Sequence, residues 1–198
     1  MTILEREFYK EIDVSIGVVK WNYWDGEHLT VVHKNYTDCK SLYEKSGLLV
    51  SLVTYRLPIF SFMKSNAMST AIHETKEDRE IIYNFNVGLF GIPSVTTITL
   101  REKGPNACHI TMNYKFFLRG WRLLLKPLMN RMMASWNEQV WVEDLPLKYR
   151  RHKVLRHGFQ DFIGMPAKVS DREFSGDITC DLPIRRPSDS PMDTQRIN

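Results

Sequence analysis

An apolar stripe in residues 120–158 limits the folds open to this chain more than any other feature. Large side chains recur there in steps of three or four residues, at Trp121, Leu125, Leu128, Met132, Trp136 and Val140. Such steps place side chains on one face of a helix, and a face this apolar must be covered by another layer. We therefore predict a long helix near the end of the chain and a concave partner for it.

Four segments before this helix read as β-strands: 67–74, 80–90, 92–102 and 107–118. The short polar turns between them force antiparallel neighbours. Alternating residues predict that two strands turn an apolar face to the helix, namely Ile81, Tyr83, Phe85, Val87 and Leu89 in one and Cys108, Ile110, Met112, Tyr114 and Phe116 in the other. A curved sheet wrapped around a helix encloses a cavity, where we expect the functional site.

The earlier part of the chain is predicted less directly. Residues 16–23 and 28–36 are rich in β-formers and flank Asp25-Gly26, a tight-turn dipeptide, so a hairpin is predicted. A short helix is expected over 39–45, and 48–55 is either a strand or the end of a buried helix.

Two prolines mark the long helix. Because proline is tolerated only in a first helical turn, Pro127 predicts a break near Lys126 and a main helix to about Asp144. Pro146 should end or kink it, a helical pattern resumes over 147–157, and Gly158 is a C-terminal cap. We predict an N-terminal extension (1–15), a ligand-binding domain (16–163) and a mostly disordered tail (164–198) with a short strand at 178–182.

Composition excludes several classes of protein. A net charge of +4 over 198 residues does not indicate nucleic-acid binding. Three cysteines without metal-ligand spacing favour a reduced compartment. The start of the chain has no apolar signal segment, and no window is long and apolar enough to span a bilayer. We expect a cytoplasmic protein, either free or peripheral at a membrane surface.

The order of hairpin, short helix, antiparallel strands and long C-terminal helix resembles the helix-grip architecture of the START-like (SRPBCC) superfamily. That superfamily includes lipid-transfer domains, polyketide cyclases, plant pathogenesis-related proteins and the catalytic domain of Rieske oxygenases. The resemblance covers roughly residues 16–162. It implies an α+β fold in which a curved antiparallel sheet wraps around a long C-terminal helix.

One stretch is similar to the Rieske oxygenase catalytic domain. That family carries Glu-Asn, two residues, Asp, two residues, His, four residues, His, and both histidines bind mononuclear iron. Aligned at Asn35 and Asp38, the pattern puts Ser41 and Ser46 in the histidine positions, and serine does not replace imidazole in such a site. Asp144 matches the third ligand but would hold iron weakly alone. The chain also has no Cys/His pairs for a Rieske cluster. We therefore expect neither metal nor cofactor.

Histidine spacing gives no independent metal pair. His28 and His33 are five residues apart on a predicted strand, which puts them on opposite faces. His152 and His157 are also five apart, which turns about 140° around a helix. A solvated basic face explains the second pair.

The candidate ligand-binding residues are large side chains on the predicted inner faces: Tyr83, Phe85, Met112, Tyr114, Trp136 and Val140. Their alternative role is ordinary core packing. Asp144 is the candidate catalytic residue, because a buried carboxyl group can act as a general acid or base. At an exposed helix end it would have no such role.

We interpret the chain first as a binding protein for a hydrophobic small molecule, such as a lipid, an isoprenoid or an aromatic polyketide. A cofactor-free cyclase, dehydratase or isomerase using the same cavity is the enzymatic alternative. A non-catalytic partner of an oxygenase or membrane complex is the third. Contact with a membrane or a protein is predicted through basic residues at the end of the helix, namely Lys148, Arg150, Arg151, Lys153 and Arg156.

Overall fold

Seven antiparallel strands form one sheet in the computed structural model, which describes residues 1–26, 28–56 and 64–156. The strand order is β1-β7-β6-β5-β4-β3-β2. From β2 onward each strand pairs with the next, and the first strand closes on the last. The strands are β1 (Thr2–Ile12), β2 (Tyr36–Lys45), β3 (Leu48–Arg56), β4 (Lys64–Lys76), β5 (Arg79–Val87), β6 (Pro93–Gly104) and β7 (Ala107–Leu118).

The described residues also form three α-helices: α1 (Ile16–Trp24), α2 (His28–Val32) and α3 (Lys126–Arg156). Short 3-10 turns occupy Leu89–Gly91 and Gly120–Leu125. Helix α3 packs with α1 and α2 over the sheet. The main core joins α1, the central strands and the second half of α3. A smaller apolar cluster surrounds Leu118 and Met133 at the start of α3.

The later strands and the long helix agree with the sequence-based prediction. Strand β7 has the predicted bounds, β4 to β6 lie where strands were expected, and the ambiguous segment 48–55 is strand β3. The predicted break near Lys126 is confirmed by the change from 3-10 to α-helix. Pro146 lies inside α3, which continues to Arg156, so the predicted end at this proline is wrong.

The predicted hairpin over 16–36 is wrong, because these residues form α1 and α2. The β-branched residues of α1 favour strands, but seven of its nine residues are buried and tertiary packing overrides a weak local preference. The helix predicted over 39–45 is strand β2. The segment predicted as an N-terminal extension supplies β1, which pairs with β7 along its whole length.

The proposed cap at Gly158 and the predicted tail, including the strand at 178–182, lie outside the described residues. Among the described residues no helix is long and apolar enough to cross a membrane.

Candidate functional site

A cavity of about 540 Å³ lies between the concave face of the sheet and α3. This volume is typical of small-molecule sites. Most of its wall is apolar, with methionines 129, 132 and 133 and Trp136 contributed by α3. Polar groups are concentrated in two places, one on the sheet and one where α1, α2 and α3 meet.

Four of the six candidate ligand-binding residues line this cavity: Met112, Tyr114, Trp136 and Val140. Tyr83 and Phe85 do not. Phe85 is 42% exposed, and the hydroxyl of Tyr83 donates a hydrogen bond to Glu74 at the surface.

The prediction for β5 chose the wrong face of the strand. Asn84 and Asn86 line the cavity, and because strand neighbours alternate, Tyr83 and Phe85 point away from it. Apolar alternation normally marks the face that packs into a dry core. Here the inner face borders a cavity and carries amide groups, while the apolar groups face outward.

Asp144 is buried where α1, α2 and α3 meet, with 2% of its surface exposed. Its Oδ2 accepts hydrogen bonds from Asn22 Nδ2 and Lys148 Nζ, each at 3.0 Å. Its Oδ1 faces His33 Nε2 at 3.1 Å and His28 Nε2 at 3.4 Å. The two carboxylate oxygens therefore have different environments: one is held by donors, and the other is presented to two imidazoles.

Both imidazoles are oriented by their other ring nitrogen. His28 Nδ1 donates to the backbone carbonyl of Asp25, and His33 Nδ1 donates to Glu143 Oε2 at 2.9 Å. A neutral imidazole carries one proton, so Nε2 of each ring presents a lone pair. Histidine metal ligands are usually fixed in this way by an acceptor on the far nitrogen.

These three groups fit a metal ion. The ligand atoms of His28, His33 and Asp144 all lie within 4.8 Å of one another. Neighbouring ligands at about 2.1 Å from an ion are themselves about 3 Å apart, close to the 3.1 and 3.4 Å that separate Asp144 Oδ1 from the two imidazoles. Asp144 Oδ1 and His33 Nε2 are also buried without a hydrogen bond to any described residue. Lone pairs that converge with no donor between them require a cation or a proton.

The charges around Asp144 fix its ionisation. Burial alone would raise its pKa, but His28, His33 and Lys148 outweigh burial and hold the pKa well below its ordinary value. Burial lowers the pKa of His33, yet the carboxylates of Asp144 and Glu143 reverse this and the net pKa is raised. In the metal-free protein, therefore, Asp144 is a carboxylate and His33 readily holds a proton.

Arg151 and Asn22 support the site from behind. Arg151 Nη2 pairs with Asp25 Oδ2 at 2.5 Å, and its Nη1 donates to Asn22 Oδ1 at 3.2 Å. The guanidinium also stacks over Trp21, 3.6 Å from the ring centroid. This network links Arg151 to Asp144 through one amide, so the orientation of the carboxylate depends on groups that do not touch it.

The predicted basic contact surface includes two residues that are not on the surface. Lys148 is fully buried against Asp144, and Arg151 is buried against Asp25. Arg150, Lys153 and Arg156 are exposed. Basic residues at helical spacing resemble a solvated face in the sequence, but two of these point inward because buried carboxylates pair with them.

The comparisons with known proteins agree with this architecture. No protein-family model matches the sequence, and no curated protein matches it. Among solved structures, human STARD10 superposes with a TM-score of 0.59 at 15% identity, over 77% of this chain and 68% of that chain. Zhui aromatase/cyclase from Streptomyces sp. R1128 gives 0.58 at 9%, over 77% and 94%. Dicamba monooxygenase gives 0.60 at 18%, over 88% and 58%.

The chain has the START-like helix-grip fold. The local similarity to Rieske oxygenases fits better at His28 and His33 than at Ser41 and Ser46. The spacing of Asn, two residues, Asp, two residues, His, four residues, His is met by Asn22, Asp25, His28 and His33. The family's leading Glu is replaced by Trp21.

Placed from Asn35, the spacing puts serines at the ligand positions, whereas placed from Asn22 it puts histidines there. The expectation that His28 and His33 lie on opposite faces is wrong, because α2 and the turn after it bring their rings to a centroid distance of 5.4 Å. The spacing itself was visible in the sequence, but the predicted hairpin concealed it. Asp144, which was expected to match the third ligand, lies beside both histidines.

Proposed function

We propose that this START-like chain holds a mononuclear ferrous ion through His28, His33 and Asp144 and catalyses oxygen-dependent modification of an apolar small molecule in the adjoining cavity. The observation that carries this proposal is the convergence of three buried ligand atoms, two of which, His33 Nε2 and Asp144 Oδ1, have no hydrogen-bond partner among the described residues. Two histidines and one carboxylate with open positions are the usual ligands of non-haem Fe(II) oxygenases, and such an ion supplies activation of O2 beside the substrate.

The residues behind the ligands have separate roles in this proposal. The Asp25 carbonyl and Glu143 keep the Nε2 lone pairs of His28 and His33 directed at one point. Lys148 and Asn22 occupy Asp144 Oδ2, which leaves Oδ1 for the ion. Arg151 neutralises Asp25. Because these groups are fixed before an ion arrives, little reorganisation is needed to bind it.

The cavity wall would place the substrate next to this site. Trp136, Val140 and Met112 exclude water and bury apolar surface, each Å² of which contributes roughly 25 cal/mol. Burial raises the pKa of Tyr114 to about 12. Its hydroxyl therefore stays protonated at neutral pH and donates to Asn137 Oδ1 at 3.2 Å.

Metal analysis tests the proposal directly. The full chain, reconstituted anaerobically with ferrous ion and desalted, should retain one iron per chain and give the electron paramagnetic resonance signal of a nitric oxide adduct. His28→Ala, His33→Ala and Asp144→Ala should each weaken iron binding by at least about 100-fold. His109→Ala is the matched control, because His109 is half-exposed on β7. Substoichiometric iron in the wild type, or equal iron in all variants, would refute the proposal.

The cofactor-free cyclase remains the second candidate, because the cavity it needs is present. The surroundings of Asp144 count against this residue as its acid or base, because His28, His33 and Lys148 hold its pKa far below the working range. Ligand turnover by protein stripped of metal would favour the cyclase over the oxygenase.

A further inference from the structure

The inner face of the sheet carries a row of short polar side chains where an apolar cavity wall would be expected. Strand pairing aligns Ser51 with Ser69, Ser69 with Asn86, and Asn86 with Ser94. The row therefore crosses β3 to β6, and three strand spacings of about 4.8 Å give it a length of about 14 Å. We call these four residues, with neighbouring Asn84 and Thr96, the polar row. All six line the cavity.

Much of the hydrogen-bonding capacity of the polar row is unused. Ser69 Oγ donates to Asn84 Oδ1 at 2.6 Å. Within the described ranges, the hydroxyls of Ser51, Ser94 and Thr96 form no hydrogen bond. These hydroxyls border the cavity, where Ser51 is 6% exposed and Ser94 and Thr96 are half-buried. Polar groups on a cavity wall are satisfied by water or by a ligand, so a ligand with matching oxygens can replace that water.

The cavity offers no charge to a ligand on this side. Hydroxyl and amide groups both donate and accept, which suits hydroxyl, carbonyl and ether oxygens. No lysine or arginine lines the cavity among the described residues. A carboxylate or phosphate placed here would lose its hydration without gaining a counter-ion. The opposite wall, formed by α3, is apolar except for Asn137 and Asp144.

We propose that the cavity selects a neutral, mostly apolar compound that carries two or more hydroxyl or carbonyl oxygens along one edge, and that the polar row binds that edge. The inference rests on the proposed function only in using the same cavity; it does not require the metal. It excludes fatty acids and phospholipids as the preferred ligands. It favours polyoxygenated ring systems over simple hydrocarbons.

Displacement of the neutral dye Nile red from the full chain by three tricyclic compounds tests this selection. 1,8-Dihydroxyanthraquinone carries oxygens along one edge, anthracene has none, and anthraquinone-2-carboxylate adds a charge. The dihydroxy compound should bind at least about tenfold more tightly than the carboxylate. In the double variant Ser69→Ala/Asn84→Leu its affinity should fall about tenfold, the effect of one or two hydrogen bonds. Anthracene affinity should not change.

Ser135→Ala, on the exposed side of α3, is the control and should bind all three compounds as the wild type does. A carboxylate that binds as tightly as the dihydroxy compound overturns the inference. So does an equal loss of anthracene affinity in the double variant, which would mean that the cavity has only changed shape. If neither the dye nor any tricyclic compound binds, the proposal that the cavity binds a ligand fails. If iron still binds but the dihydroxy compound and the carboxylate bind equally well, only this inference is overturned.

Discussion

The two halves of α3 face the same interior with opposite chemistry. Towards its start, the helix presents methionines and Trp136 to an apolar cavity. Towards its end, the residues at the same helical spacing are charged: Asp144, Lys148 and Arg151 are all buried. Burying a charge is costly unless it is paired, and each of these has a partner. One half therefore lines an apolar cavity, and the other half is built around paired charges.

Removal of one buried charge from the second half of α3 should have the largest effect on stability. Lys148→Met keeps the volume but leaves Asp144 with fewer donors, so the free energy of unfolding of the metal-free protein should fall by about 3 kcal/mol. Urea denaturation measures this. Lys153→Met, on the exposed side of the same helix, should change stability by less than about 0.5 kcal/mol. Equal stability of both variants would mean that the buried charges are not coupled.

A charge placed in the apolar half of α3 should weaken binding in the cavity and leave the metal site unchanged. Met132→Asp puts a carboxylate in the cavity wall, so Nile red affinity should fall at least about tenfold, or 1.4 kcal/mol. Iron content should be unchanged, because the metal ligands belong to the other half. Val142→Asp, at a position on α3 that is 57% exposed, is the control. Unchanged dye binding with an intact circular dichroism spectrum would show that the cavity is not the ligand site.

Tyr114 lies at the boundary between the halves and predicts a smaller, pH-dependent effect. Its folded pKa of about 12 exceeds the ordinary value of 10, so the unfolded chain ionises first as pH rises. Its contribution to stability is complete below pH 10 and is lost between pH 10 and 12. Wild type should therefore lose about 1 kcal/mol more stability than Tyr114→Phe between pH 9 and 11. Denaturation curves of both proteins that shift equally would contradict the assigned burial.

Most of the sheet and the long helix follow from periodicity, whereas the helices at the start of the chain do not. The apolar residues of strand β7 and of α3 are regularly spaced along the whole element, so the type of each element can be predicted from its sequence. The β-branched residues of α1 favour a strand locally, and their packing against β6 and α3 stabilises the helix instead. Because 28–36 was predicted as a strand, His28 and His33 were expected on opposite faces, although the structure brings them into one site.

Only part of the candidate site could be predicted from the sequence, because the apolar spacing does not show which face meets a ligand or a buried charge. Met112, Tyr114, Trp136 and Val140 line the cavity, as their periodic spacing on the inner faces predicted. Asp144 was a candidate because of the family resemblance and the chemistry of a buried carboxyl group. Tyr83 and Phe85 were misplaced because the inner face of β5 borders a cavity, and an inner face that meets a ligand need not be apolar. Lys148 and Arg151 were missed because a buried ion pair and a solvated face have the same one-letter pattern, and only the neighbouring chain distinguishes them.

The buried face of α3 also constrains how this protein can change over evolutionary time. Its buried residues follow one another by three or four positions from Met133 to Leu155, so a single inserted residue would rotate everything after it by 100°. Such an insertion after Asn137 would carry Asp144 away from both histidines at one stroke. Substitutions in the cavity wall have no such reach. Homologous proteins can therefore change which small molecule they bind through single substitutions in the cavity wall, whereas the length of α3 must be conserved.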